Sequence, residues 1–326
     1  MKKGIIIGLL ILVASTLDAQ TIGQFTMWNQ NHFIVNPAAA GNLDYLDAAI
    51  GYRRQWAGIK EAPTTFYGTA HTVLNRPKRN QVSSLRGTGS TIQPVDIEKA
   101  KSKVKVKHAV GIMLNTSEFG AFEKSEMSAT YAIHLPVTRK ISLSFGLTAG
   151  LNNFGFDESK TSVIEADDPV YDAYFIGQNQ SIFNVNSGVY LYSDRFFVGY
   201  SANQLLENEW EISELKTSGD VTAISTHHFV MGGFNYDLNN NIRITPSVLT
   251  KKLKTHPLSV DFSTTVTYKQ AIYAGLTYRT TDAISIMGGY QFNHFLRAGY
   301  AYDYTLSELR ETSNGSHEIF IGFTLF

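Results

Sequence analysis

Alternation with a period of two runs through most of this chain, and it constrains the fold more than any other feature. In a strand, successive side chains point to opposite faces. Ile141, Leu143, Phe145, Leu147, Ala149 and Leu151 make one apolar set, and Ser142, Ser144, Gly146, Thr148, Gly150 and Asn152 make the small or polar other. The same split separates Leu258, Val260, Phe262, Val266 and Tyr268 from Ser259, Asp261, Ser263, Thr265 and Lys269. It separates Leu296, Ala298, Tyr300, Tyr302 and Tyr304 from Arg297, Gly299, Ala301 and Asp303. Helical spacing is scarce. With turns placed at clusters of Gly, Asn, Asp and Pro, fourteen strands begin near Tyr45, Pro63, Val106, Phe122, Lys140, Ser181, Arg195, Ser225, Asn241, Leu258, Ala271, Ile284, His294 and Gly315.

A soluble β-sandwich also alternates, so strand length and connections decide. Soluble strands usually run about 5–6 residues, whereas most of these run about 9–13, enough to cross a bilayer at a tilt. Aromatics crowd strand ends (Tyr190, Tyr192, Tyr300, Tyr302 and Tyr304), as in the girdles of outer-membrane barrels. Short turns such as Ser193–Asp194 and Gln270 contrast with long loops from Phe154 to Gln180 and from Leu205 to Ile224. The expected fold is all-β: a transmembrane antiparallel β-barrel of the outer membrane with about 14 strands. The terminal Phe326 fits a barrel insertion mark loosely, because Ile319, Ile321, Phe323 and Leu325 hold the opposite parity.

The first nineteen residues read as a secretory signal peptide. Lys2 and Lys3 precede the apolar run Gly4 to Val13, and Ala19 stands before Gln20, although Leu17 and Asp18 make the cleavage site imperfect. The run falls short of the roughly 18–20 residues of a membrane helix. The expected organisation is a signal peptide over 1–19, an N-terminal periplasmic or lumenal segment over 20–44, and the barrel over 45–326. The chain has no cysteine, which excludes thiolate metal sites, disulfides and a cysteine nucleophile. Its 28 basic and 28 acidic residues argue against nucleic acid as a partner.

With the N-terminus periplasmic, residues 75–105 form a long periplasmic loop. From Arg76 to Lys107 there are nine basic residues against Asp96 and Glu98, a net +7. Lys99, Lys101, Lys103, Lys105 and Lys107 make the segment a candidate dock for an acidic periplasmic partner or for outer-membrane lipid. A solvated charged loop is the plainer reading.

Three motifs remain. Gln24 to Asn42, QFTMWNQNHFIVNPAAAGN, is too irregular for a strand and suits a piece tucked into the barrel mouth. It contains Asn36, Pro37, Ala38, Ala40 and Gly41. Next come Tyr52, Arg53, Gln55, Trp56 and Gly58, then Ala62, Pro63 and Thr65. The third is Tyr302, Asp303 and Tyr304 within YDYTLS, followed by His317 and Glu318 within GSHEI. In this order the three motifs resemble the PorP/SprF family of the type IX secretion system across the mature chain.

That resemblance implies a non-enzymatic outer-membrane barrel of a Bacteroidota-type cell. One branch belongs to the core machinery, near periplasmic ring proteins and a peptidoglycan-binding lipoprotein. The other supports secretion or surface attachment of a large adhesin with a type IX C-terminal signal, as in gliding motility. No cofactor and no metal is implied. From parity alone, one of Arg53 and Arg54 faces the lumen, and Asp303, Glu126 and Asp261 share lumenal parity. A lumenal Arg needs a partner, so an Arg–carboxylate network holding the N-terminal segment is expected. Trp56 also suits a membrane-interface anchor.

Other chemistry finds little support. There is no phosphate loop, metal-helix motif or nucleophile elbow. His227 and His228 face opposite ways as strand neighbours. The acidic run Asp157, Glu158, Glu165, Asp167, Asp168 and Asp172 fits no recognised calcium loop. The competing functions are a stand-alone porin or small-solute channel and a rim hydrolase.

Overall fold

The computed structural model describes residues 23–74, 106–160, 180–207, 209–210, 222–223, 225–253, 256–280 and 282–325. The expected signal peptide, the basic loop 75–105 with Lys99, Lys101, Lys103 and Lys105, most of the acidic run and Phe326 lie outside them.

Fourteen strands form the wall: β1 (Leu46–Arg54), β2 (Thr64–Val73), β3 (Lys107–Phe119), β4 (Phe122–Pro136), β5 (Ser142–Phe156), β6 (Gln180–Tyr192), β7 (Phe196–Asn203), β8 (His227–Phe234), β9 (Ile242–Lys252), β10 (Ser259–Tyr268), β11 (Ile272–Arg279), β12 (Ala283–Gln291), β13 (Leu296–Thr305) and β14 (Ser316–Leu325). Each begins within two residues of its sequence-derived start. Every strand pairs antiparallel with its chain neighbours, including β8 with β9. β1 pairs with β14 from Leu46↔Leu325 to Arg54↔His317, which closes the barrel and removes the sheet edges.

Alternation sets the two faces. Leu147, Met127, Phe262, Leu276, Ile286 and Ile319 point outward and are more than half exposed. On the opposite parity Thr148, Ser128, Asp261, Thr277, Ser285 and Glu318 are buried in the lumen. Only a hydrocarbon solvent suits that outer face, and the closed ladder satisfies its backbone groups. No helix among the described residues is long and apolar enough to cross a membrane.

Side chains cap the turns at the end that holds the C-terminus. Thr138 Oγ1 accepts from the Lys140 and Ile141 amides, Ser193 Oγ from Arg195 and Phe196, and Asn293 Oδ1 from Phe295 and Leu296. Between β10 and β11, Lys269 (φ 48°) and Gln270 (φ 54°) form a two-residue hairpin whose positive φ values match strand twist. Apart from the long connection between β2 and β3, the opposite end carries the longer connections, so it is the outer end and the short-turn end is periplasmic. The wall is lopsided. β4 and β5 have 15 residues each, against 8 in β7 and β11. Seven residues amount to about 24 Å of strand.

The lumen is not empty. Residues 23–45 run through it from the outer end to the periplasmic end before β1 turns back up. The segment includes three short 3-10 turns, Thr26–Gln30, His32–Ile34 and Pro37–Ala39. Its Met27, Trp28, Ile34, Val35, Ala38 and Ala39 share one hydrophobic core with wall residues Tyr67, Tyr190, Phe229, Leu249, Met287 and Phe320. One sequence reading is corrected here. Tyr192 and Tyr190, taken above as girdle aromatics, both point inward. The Tyr192 hydroxyl lies 3.0 Å from His134 Nδ1, and Tyr190 is 2% exposed. It stacks on Tyr192 at 5.5 Å, and its hydroxyl lies 2.8 Å from His32 Nδ1.

Candidate functional site

Arg53 of the second motif and Asp303 and Glu318 of the third meet Thr26 of the N-terminal segment in the outer half of the lumen, while Asn36 to Gly41 of the first motif lie nearer the periplasmic end. Arg53, near the outer end of β1, is the inward member of its pair, whereas Arg54 points out. Arg53 stands directly across the closing seam from Glu318 on β14. Its Nη1 lies 3.3 Å from Glu318 Oε2, and its Nη2 lies 2.6 Å from Asp303 Oδ2 on β13. All three side chains are at most 2% exposed. Removing charges from water is costly, and close opposite charges with further hydrogen bonds are what offset it.

Thr26 of the N-terminal segment supplies those bonds. Its Oγ1 accepts from Arg53 Nη1 at 2.8 Å and donates to the Asp303 carboxylate at 2.9 Å. Its amide donates to Glu318 Oε2 at 2.7 Å. Tyr67 Oη donates to the other oxygen, Glu318 Oε1, at 2.9 Å. The segment is therefore a member of the ion-pair network rather than a neighbour of it.

The network continues around the wall. Arg279 Nη1 approaches Asp303 at 3.6 Å and Asp282 at 3.1 Å, and donates to Gln24 Oε1 at 3.0 Å. Arg279 Nε reaches Asp261 at 3.1 Å, and Lys251 Nζ lies 2.9 Å from the other oxygen of Asp261. Glu126 is not part of this network. It lies across the lumen with Lys124, beside a cavity.

A second set of contacts holds the periplasmic half of the segment. Arg297 grips Asp47 with two bonds, at 2.8 and 3.0 Å. Asp47 faces His71 Nε2 at 3.8 Å, and His71 Nδ1 accepts from the Gly41 amide at 3.1 Å. His134 Nε2 lies 2.7 Å from the Ala40 carbonyl. Lys107 forms an ion pair with Asp44, so this lysine is committed to the segment's end.

The Asn-Pro motif has a physical account. Asn36 is fully buried, caps the turn Pro37–Ala39 by accepting from the Ala38 amide at 2.9 Å, and donates to the Val189 and Tyr200 carbonyls. Wall glycines make room for it. A Cβ at Gly188 would stand 2.1 Å from Asn36 Oδ1, and one at Gly146 would stand 2.4 Å from the Ala38 nitrogen. Gly41 has φ +72°, a conformation side chains resist, and a Cβ there would meet Ala109 at 2.2 Å.

Of the remaining motif residues, Gln55 touches the network, its Nε2 donating to Gln24 Oε1 at 3.4 Å, and the others stand outside it. The Gln55 amide donates to the carbonyl of buried Pro63 at 2.8 Å, and Thr65 Oγ1 lies 2.8 Å from Ser117 Oγ. Trp56 (φ 46°) and Gly58 (φ 99°) sit in the β1–β2 loop at the outer rim. Ala57 exchanges backbone bonds there with Gly315 and Asn314 of the β13–β14 loop. Tyr52 and Tyr304 point outward and are exposed. His317 Nδ1 meets the Tyr300 hydroxyl at 2.6 Å, and Tyr302 Oη donates to the Asn314 carbonyl.

Sequence reasoning missed Arg279, Lys251, Asp282, Thr26 and the Asp47–Arg297 pair. Inward parity on β9 and β11 signals Lys251 and Arg279, but their partners follow only from register and closure.

The sequence matches the family model of the type IX secretion system membrane protein PorP/SprF over residues 17–323. The chain belongs to the PorP/SprF family. It is an integral protein of the outer membrane, with the barrel that family membership and alternation both require. Comparison with curated proteins finds no match. Among solved structures it is similar to the Ralstonia pickettii toluene transporter TbuX at 8% identity and TM-score 0.49, covering 90% of this chain and 92% of that one. It is also similar to the Acinetobacter baumannii outer membrane protein Omp33 at 7% identity and TM-score 0.46, covering 86% and 98%. In this PorP/SprF barrel the segment that carries the first motif packs inside the lumen.

Proposed function

We propose that this PorP/SprF protein acts by binding, as a non-enzymatic component that supports secretion or surface attachment of a large adhesin with a type IX C-terminal signal. One observation carries the reading. Residues 24–44 occupy the lumen, and the motif residues Arg53, Asp303 and Glu318 of the wall bond to Thr26 within them, beside wall residues outside the motifs such as His71, His134 and Ser201. A chain that spends its characteristic residues on filling its lumen is suited to presenting surfaces rather than to conducting solutes.

On the outer side, the β1–β2 and β13–β14 loops are bonded to each other and offer Gln55, Trp56 and Gly58 at the rim. On the periplasmic side, we assign docking on the type IX machinery and a peptidoglycan-binding lipoprotein to Lys99, Lys101, Lys103 and Lys105, since Lys107 is engaged with Asp44.

Deleting the gene and comparing surface proteins by whole-cell protease shaving and mass spectrometry tests this. Loss of one large type IX cargo, or of gliding, is expected. Unaltered display of every type IX cargo would sink the reading. A pull-down of the tagged barrel from detergent-solubilised outer membranes separates the branches: an adhesin as main companion indicates the cargo role, and ring proteins with a lipoprotein indicate the core role.

A further inference from the structure

A cavity of about 100 Å³ remains beside the N-terminal segment on the far side of the lumen from Arg53. It belongs to the outer end: Asn203 and Lys251 stand at the outer ends of β7 and β9, and His227 opens β8. Its floor is apolar, from Ile34 and Val35 of the segment and Met113, Phe229 and Leu249 of the wall. Its sides are amides, Asn115, Asn184, Asn186, Asn203 and Gln204. Lys124, Lys251 and Glu126 add two basic side chains and one acidic one. Among the described residues, the buried carbonyl oxygens Oδ1 of Asn115 and Asn203 have no partner. A buried acceptor left without a donor is destabilising, so these two oxygens call for one.

The lumen already shows how it holds such a donor. It binds residues 24–44, an irregular peptide, largely by bonds from wall side chains to segment backbone: Glu318 to the Thr26 and Met27 amides, Ser201 to the Val35 carbonyl, His71 to the Gly41 amide and His134 to the Ala40 carbonyl. The cavity continues that receptor on the segment's other flank, since Gly23, Phe25, Ile34 and Val35 form part of its lining. An Asn side chain carries a donor and an acceptor together, the match for a peptide unit. The apolar floor matches one aliphatic or aromatic side chain.

From this juxtaposition we infer that the outer lumenal cavity is a binding site for an extended peptide, which enters from the cell surface, bonds its backbone to Asn115 and Asn203, and seats one apolar side chain on Ile34, Val35 and Phe229. The inference rests on the binding role proposed above and names the chemistry of what is bound. The segment is then half of the receptor as well as the closure of the lumen.

The test places a photo-crosslinking residue at position 203 in the full-length protein in living cells, with the same residue at the lipid-facing Tyr200 as control. Mass spectrometry of the irradiated barrel is expected to show position 203, and not position 200, joined to one recurring extended segment of a secreted surface protein. Adducts only to glycan or lipid, or none at either position, would overturn the inference. In a second arm, the cavity-filling substitutions Asn203→Trp and Asn115→Trp should each lower surface display of that protein at least tenfold, while heat-modifiable gel mobility shows a folded barrel. Full display with both substitutions, in a strain where gene deletion does abolish display, would reject the cavity while sparing the binding role. Full display after gene deletion would reject the binding role itself.

Discussion

Arg53 on the first strand and Asp303 on the penultimate strand meet at 2.6 Å, with the last strand between them. Glu318, on that intervening strand, takes the other arm of the guanidinium. The place where the sheet closes on itself is thus also the place where the N-terminal segment is tied, because Thr26 bonds to all three residues.

Arg53→Ala should therefore cost more than a lost contact. It leaves Asp303 and Glu318 buried with less compensation, and breaking a buried pair from one side typically costs about 3–5 kcal/mol. The expected outcome is a lower urea midpoint for the detergent-solubilised barrel, read by heat-modifiable gel mobility. Arg54→Ala, on the outward side of the same strand, should leave the midpoint nearly unchanged.

Gly146→Ala probes the notch for the Asn-Pro turn. The new methyl would lie 2.4 Å from the backbone nitrogen of Ala38, and backbone has little freedom to retreat. Overpacking of this kind typically costs about 1–3 kcal/mol. We expect the strands to pair as before and the segment to loosen, seen as greater acrylamide quenching of the fully buried Trp28 in a variant with Trp56 and Trp210 replaced by Phe.

His32 gives the closure a pH dependence. Burial pushes its imidazole down to about 4 from the ordinary value of 6.5, and the Tyr190 hydroxyl meets Nδ1. Released, the ring takes a proton near pH 6.5; in place, it does so only near pH 4. Falling pH therefore favours release across that window, and the stabilisation is complete only above about 6.5. Amide hydrogen exchange of residues 24–44 at pH 7 and pH 5 checks this, after correction for the intrinsic rate. Faster relative exchange at pH 5 is expected, and His32→Gln should flatten the difference.

The wall was legible from the sequence because period two is a strong signal and several short turns carry their own Ser, Thr or Asn cap. Parity left open which of Arg53 and Arg54 faces in, but it made the inward side of Asp261 and Asp303 readable. Partners were not, because Arg53 meets Glu318 only through closure between chain positions 265 apart. Tyr190 was misplaced for a different reason. Alternation says that a strand has two faces, but it does not say which face is oily when the lumen also contains apolar chain. Met27, Trp28 and Ile34 give this barrel an inner apolar solvent, and Tyr190 dissolves in it.

The central claim is that the family-motif residues hold the lumen shut and leave the protein to act through its surfaces. Planar-bilayer conductance of the intact, purified barrel at neutral pH tests it most directly. The account predicts a closed baseline that opens when Arg53→Ala or acid loosens the segment. Large, steady openings from the intact protein, unchanged by Arg53→Ala, would contradict it and identify a stand-alone channel.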